Sequence, residues 1–286
     1  MTPTEIKTAL RQVGGWANKR LGQHFLIDRE VQDDVVKAAG IRPGDLVLEI
    51  GPGLGALTQA LLDQGADVIA VEQDRRFVGY LNPKMAPQRD RTVRIVQGDA
   101  AAIHWHELIG EEPWKFVSNL PYSITSLALR KALWAPKPPG IVVVMVQREV
   151  AERAMSVAPG VISPRHSVRS KGKTSLLSLM VALASSSVKI VRRVPREAFF
   201  PPPDVESAVI QIEPMPWQDR ESRWGIDPEK VMQVAKLGFA HPRKIIASNL
   251  KLYSSQLKQT GIPPNARAED LSPDDWAKLT RTIHGE

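Results

Sequence analysis

Apolar residues in the first half of the chain collect in short runs: LVLEI (46–50), DVIAVE (67–72), TVRIVQ (92–97), KFVSNL (115–120) and IVVVMVQ (141–147). Their length and β-branched content predict strands. Between them lie segments with helical spacing: ALTQALLDQG (56–65), stopping at Gly65, a helix opening at Asp74 and another from about Ile124. Near-continuous apolar strands separated by helices indicate a parallel sheet covered on both faces, because a strand with one wet face alternates instead. The first half therefore reads as a doubly wound α/β domain.

After Val150 the pattern changes. Glu149 to Met155 reads as a helix, followed by a Pro/Gly/Ser-rich basic loop through Thr174, a helix from Ser175 to Ala184, and a strand, SVKIVRRV (187–194). VESAVIQIEP (205–214) alternates cleanly and is expected to pair with 187–194 as an antiparallel edge of the same sheet. PMPWQD (214–219) reads as a linker, and from Asp227 the pattern is helical to the end, with Ser272-Pro273-Asp274-Asp275 marking a helix start. No internal repeat is present. The expected organisation is a Rossmann-like α/β catalytic domain over 1–214 and a small C-terminal α-helical domain over 215–286.

Composition narrows the class. At 286 residues, 43% hydrophobic and 24% charged, the chain can bury a core and is unlike a disordered or fibrous sequence. No apolar run approaches the ~20 residues that cross a bilayer, and the N-terminus lacks the apolar core of a secretory signal. Zero cysteines exclude disulfide scaffolds, thiolate zinc sites and cysteine nucleophiles. A cytoplasmic setting is expected. The net charge of +7 is unevenly spread: Arg153 to Arg196 holds nine basic residues and no acid, so the remainder of the chain sums to −2. A second acid-free stretch, Lys236 to Lys251, contains Lys236, Arg243, Lys244 and Lys251. Concentrated basic segments on an otherwise neutral chain point to a polyanion, nucleic acid before others, with a merely solvated basic face as the plainer reading.

Four strand ends carry the candidate chemistry. GPGLG (51–55) follows a strand and opens a helix, so Gly51 and Gly53 allow a tight turn and close approach to a ligand. Glu72 ends the next strand about 20 residues on, where a carboxylate can accept from both ribose hydroxyls of a nucleotide-like cofactor. Asp99, in QGDA (97–100), ends the third. The Gly-x-Gly-x-Gly spacing differs from the dinucleotide fingerprint and favours S-adenosylmethionine over a nicotinamide cofactor. At the fourth end, SNLPY (118–122), Pro121 holds Leu120 extended and lacks an amide hydrogen. That turn can aim the Asn119 amide oxygen and backbone carbonyls inward beside the flat ring of Tyr122. Acceptors placed around an aromatic amine favour the localised lone pair needed for in-line attack on a sulfonium methyl.

SNLPYSI, LEIGPGLGALT (48–58), LGQHFLID (21–28) and AFFPPPDVESAV (198–209) together resemble the KsgA/RsmA family of ribosomal RNA adenine dimethyltransferases, and LGFAHPRKIIASNL (237–250) is similar to that family's basic C-terminal segment. The resemblance spans essentially the whole chain. It implies methyl transfer from S-adenosylmethionine to the N6 amines of adjacent adenosines in a hairpin near the 3′ end of 16S rRNA, contributing to small-subunit maturation, by a monomer without metal or membrane. Residue by residue, it implies cofactor contacts at His24, Leu26, Gly51, Gly53, Glu72, Asp99 and Asn119. Asn119, Leu120, Pro121 and Tyr122 match the family's active-site turn, and Phe199 opens its Phe-x-Pro-Pro-Pro pattern, where that ring and the tyrosine stack on a flipped adenine. Arg165, Arg169, Lys171, Lys173, Arg243 and Lys244 are the candidate RNA contacts.

Two departures stand out. His24 occupies a position where the family usually has Asn, and an imidazole there makes cofactor binding pH-sensitive. SPRHSVRSKGKT (163–174) replaces the family's compact loop with a longer basic one. The alternatives are a related macrolide-resistance methyltransferase acting on 23S rRNA, disfavoured by Leu120 in place of Ile and by the FAHPRK segment, and a non-catalytic RNA-binding assembly factor on the same fold. A DNA adenine methylase would carry Pro-Pro-Tyr in the turn, and a nicotinamide dehydrogenase would need a hydride-transfer partner that is missing.

Overall fold

The computed structural model describes residues 1–16, 23–85, 92–157 and 173–285. In chain order the first elements are α1 (Pro3–Gln12), β1 (Phe25–Leu26), α2 (Arg29–Ala39), β2 (Leu46–Ile50), α3 (Ala56–Asp63), β3 (Asp67–Glu72), α4 (Arg75–Lys84), β4 (Val93–Gln97) and α5 (Trp105–Ile109). They continue with β5 (Trp114–Asn119), α6 (Thr125–Leu133), β6 (Val142–Gln147), α7 (Arg148–Met155), α8 (Leu176–Ala184), β7 (Ser185–Val194), β8 (Phe199–Phe200) and β9 (Ser207–Pro214). Last come α9 (Trp217–Trp224), α10 (Pro228–Gly238), α11 (Ile246–Asn249), α12 (Ser254–Gln259) and α13 (Pro273–His284). No helix among the described residues is long and apolar enough to cross a membrane.

The described chain divides into two compact units. The first comprises Met1–Ala151 and Lys189–Glu213, the second Glu152–Val188 and Pro214–Glu286. The expected boundary at 214 thus coincides with one edge of the division, but the described residues from Glu152 to the end of α8 group with the C-terminal helices. The reason lies in α8, LLSLMVALA, whose residues from Ser178 to Ala184 are all buried. A helix apolar all round must be enclosed by other elements, and α9, α10 and α13 pack around it. Its entry is fixed by a capping box at Ser175 and by Thr174, whose amide donates to the Glu269 carbonyl at 2.8 Å. Its exit is fixed by Trp224 Nε1, which donates to the Leu183 carbonyl at 3.1 Å.

In the first unit a seven-stranded sheet has the order β4-β3-β2-β5-β6-β9-β7. From β4 to β6 neighbours are parallel, and β9 runs antiparallel to β6. The alternating 205–214 segment therefore sits between the central strand β6 and the edge strand β7. From β2 the chain builds outward through β3 and β4, then returns to start β5 on the other side of β2. Open α/β sheets bind ligands at such a reversal, outside the carboxyl ends of the strands. Ser118 Oγ donates to the Ile50 carbonyl at 2.7 Å and locks β5 to β2 directly beneath it. A second, two-stranded ribbon pairs β1 with β8, Phe25 opposite Phe200 and Leu26 opposite Phe199.

Helix α1 starts at a capping box between Thr2 and Glu5 and buries Ile6, Ala9 and Leu10 against Phe25, Leu54 and Phe77. The second unit holds a fully buried arginine, Arg220, whose Nε donates to the Met215 carbonyl at 2.8 Å while the guanidinium lies 4.3 Å from the Trp217 ring. Burial lowers its pKa to about 10, still above neutrality.

One packing contact in the second unit decides the sign of a mutation. A Cβ at Gly238, the last residue of α10, would lie 2.4 Å from the ring of the fully buried Trp276. At an exposed helical site Gly→Ala gains up to ~1 kcal/mol, but here the indole cannot yield. Gly238→Ala is expected to lower stability by about 1–3 kcal/mol, measured by urea unfolding; an equal or higher midpoint would contradict this packing.

Candidate active site

The carboxyl ends of β2, β3, β4 and β5 surround a cavity of about 150 Å³, lined also by residues of α1, β1 and β8. Its floor is the turn after β2. Gly51 has φ +72 and Gly53 φ +57, both left-handed, and a Cβ on either would press on Pro121 at 3.2 Å or the Phe25 ring at 3.1 Å. Only glycine fits that combination of angle and crowding. Helix α3 then starts without a side-chain cap, leaving first-turn amides available to a ligand.

Glu72 ends β3 and is almost fully buried. One carboxylate oxygen accepts from the Gly53 amide at 3.0 Å and the other from the Asp74 amide at 2.8 Å. Burial raises its pKa, and these amide bonds oppose the rise. Each oxygen keeps a further lone pair for a ligand. Asp74 caps α4 and forms an ion pair with Arg76 at 2.6 Å, while Gln23 Nε2 donates to it at 3.0 Å. The Arg76 guanidinium, foremost, holds the Asp74 carboxyl down to about 2. Asp99 lies beyond β4, exposed at the cavity edge, with Oδ1 accepting from the Ala101 amide at 2.8 Å.

The turn after β5 supplies the opposite wall. Leu120 is buried and its amide donates to the Met145 carbonyl at 3.2 Å, so its side chain anchors the turn in the core. Pro121 follows at φ −55, ψ 127. Asn119 Nδ2 is directed at the His24 carbonyl, 3.5 Å away, which leaves the amide oxygen as the side chain's accepting end. The Tyr122 hydroxyl lies 2.6 Å from Ser207 Oγ, and burial raises its pKa. His24 Nδ1 is 2.8 Å from the Pro201 carbonyl, so that nitrogen carries the proton and donates; the imidazole ring lies 6.1 Å from the Tyr122 ring at 25°.

The structure thus gathers His24, Leu26, Gly51, Gly53, Glu72, Asp99, Asn119, Leu120, Pro121, Tyr122 and Phe199 around one cavity. Phe199 is only 2% exposed and packs with Leu26, Val194 and Val209 in the core, so here its ring is chiefly a core side chain with one edge on the cavity. Of the basic residues, Arg165, Arg169 and Lys171 fall outside the described residues. Lys173, Arg243 and Lys244 belong to the second unit, where Lys173 is salt-bridged to Glu269 and Arg243 and Lys244 are exposed between α10 and α11. Asn249 Nδ2 pins that connection by donating to the Gly238 and His241 carbonyls.

Sequence reasoning passed over Glu49, an acid inside the apolar run LVLEI. It is 1% exposed, lines the cavity and accepts from Thr58 Oγ1 at 2.6 Å. Burial pushes its carboxyl up to about 8, against the Thr58 hydrogen bond and helped by the charge of Glu72. The signal was present, since a carboxylate within a doubly buried strand must be paired or protonated. Its proton stays on in the folded chain until near pH 8 but leaves the unfolded chain near 4.5. Stability from Glu49 is therefore full below about pH 4.5 and is lost as pH rises through 8. Glu49→Gln, which cannot titrate, is expected to melt with a flatter pH dependence over that window; parallel Tm curves for the two proteins would refute the assignment.

The sequence profile of the ribosomal RNA adenine dimethylase family matches residues 15–284. Ribosomal RNA small subunit methyltransferase A of Dehalococcoides mccartyi strain CBDB1 is 37% identical over 272 residues, covering 92% of this chain and 87% of its own. The protein of that name from Sphingopyxis alaskensis is 35% identical, covering 97% and 98%. Among solved structures, a dimethyladenosine transferase from Plasmodium falciparum superposes with a TM-score of 0.67 at 24% identity, over 90% of this chain and 96% of that one. The 23S rRNA methyltransferase ErmE does so with 0.64 at 24%, over 91% and 99%. The two structures share the Rossmann-like methyltransferase fold of the first unit, and the sequence matches extend over nearly the whole length: the chain belongs to the ribosomal RNA adenine dimethylase family.

Proposed function

We propose that the chain transfers methyl groups from S-adenosylmethionine to the N6 amines of adjacent adenosines in a hairpin near the 3′ end of 16S rRNA, acting as a cytoplasmic monomer on the small subunit or its precursor. The observation that carries this reading is Asn119, whose amide nitrogen is directed at the His24 backbone so that its oxygen is the accepting end, in the cavity shared with Glu72 and Asp99. The relatives named for the small subunit support the substrate.

The residues fit the cofactor. The glycine turn gives room that a Cβ would fill, Glu72 offers lone pairs to two ribose hydroxyls, and Asp99 offers an acceptor to the adenine amine. When bound, the cofactor supplies a methyl group on a positively charged sulfur. Asn119 and the backbone carbonyls of its turn accept the hydrogens of the target amine and hold its lone pair out of conjugation. Tyr122, fixed through Ser207, presents a flat face to the target base. As the nitrogen takes the methyl, the carbon–sulfur bond of the sulfonium would break to leave a neutral thioether, and the nitrogen, now strongly acidic, loses its proton to water without a strong base. Glu49, holding a proton, places no further negative charge on the cavity at neutral pH.

Asn119→Ala is expected to cut kcat by about 10²–10³ with RNA affinity retained, measured with labelled S-adenosylmethionine and small subunits lacking the modification. Near-normal turnover would sink the mechanism, and label appearing in large-subunit RNA would sink the substrate assignment in favour of the 23S reading. Replacing Arg243 and Lys244 together by Gln is expected to make the slope of log affinity against log salt shallower by about 1.5–2, one phosphate contact each. An unchanged slope would remove both from the RNA contact.

A further inference from the structure

Lys131 stands in α6, whose first turn directly follows the Asn119–Ile124 wall of the cavity. Its ammonium donates to three backbone carbonyls, of Ala100 at 2.9 Å, Ala101 at 2.8 Å and Ile103 at 2.7 Å. An ammonium has three donors, so this one turn satisfies it completely. The turn begins at Asp99: its carbonyl accepts from the Ala102 and Ile103 amides at 2.9 and 3.0 Å, and its Oδ1 from the Ala101 amide. Trp105 closes the far side, donating from Nε1 to the Ala100 carbonyl at 2.9 Å, with the ammonium 5.4 Å from the indole ring. Desolvation lowers the Lys131 pKa, and the charge of Asp99 counters it.

Three carbonyl dipoles aimed at one point repel one another unless a cation lies there. The conformation that presents Asp99 to the cavity therefore depends on a side chain outside the turn. We propose that Lys131 is a positioning residue that sets Asp99 to recognise the 6-aminopurine of the cofactor, so that the base is selected through an ammonium that never touches it. The proposal rests on the cofactor reading above. A 6-amino group donates to the Asp99 carboxylate, whereas a 6-oxo group in its place repels it, and a site built to hydrogen-bond one group rejects the analogue lacking it.

Calorimetric binding of S-adenosylhomocysteine and of its counterpart with inosine in place of adenosine tests this without turnover. The unsubstituted chain is expected to favour the adenosine form by about ten- to a hundredfold, the worth of one hydrogen bond to a charged group. Lys131→Met is expected to weaken binding of the adenosine form and bring the ratio close to one. Lys131→Arg, which keeps the charge but whose planar fork matches three converging carbonyls less well, is expected to fall between. An unchanged ratio in whichever variant folds, judged by circular dichroism, overturns the role of Lys131, even if its melting temperature falls. Failure of the unsubstituted chain to bind either compound overturns the cofactor reading itself.

Discussion

The ligand-binding face of the sheet is organised by one nearly buried carboxylate accepting two backbone amides. Glu72 ties the glycine turn after β2 to the turn after β3, two segments that the parallel sheet leaves side by side with unpaired donors. Parallel strands end together at one edge, so such donors accumulate there by construction. An anion that satisfies two of them holds both turns in register. Its own burial is costly, and the amides that it orders are what offset that cost.

The surrounding charges follow from that placement. A second ionised acid at the last but one position of β2 would lie in the same low-dielectric region, and Glu49 instead keeps its proton and accepts from Thr58. Asp74, two residues past Glu72, stays ionised because Arg76 stands over it. Helix α1, outside the part of the chain that the family profile matches, covers Leu54 of the glycine turn and Phe77 of α4. The apolar cover and the buried acid thus both bear on the glycine turn and on the start of α4.

The central strands were legible because burial on both faces leaves a continuous apolar run, and the site was legible where a strand end met a glycine, an acid or Asn-Leu-Pro-Tyr. Interactions distant in sequence were not. Nothing near Lys131 announces its three carbonyl partners about 30 residues earlier, and nothing in Ser175–Ala184 says which helices enclose it. Helices α1 and α2 carry amphipathic patterns that the reading left unassigned, though Thr2-x-x-Glu5 is a capping box and Asp28 a cap. Phe199 resembled a stacking ring by motif, while its burial is set by pairing with Leu26.

That pairing sets a limit on length variation. The β1–β8 ribbon is two residue pairs long, and alternate residues of a strand face opposite ways. Adding or removing one residue beside either strand would exchange the faces, moving Phe199 out of the sheet core and Phe200 out of the cluster around Ile6 and Phe77, and would carry the His24 ring away from the Pro201 carbonyl. A ribbon this short has no neighbouring pairs into which a bulge could be absorbed. Substitutions at these four positions can be repacked, but insertions and deletions next to them cannot, so the spacing is held more tightly than the residue types.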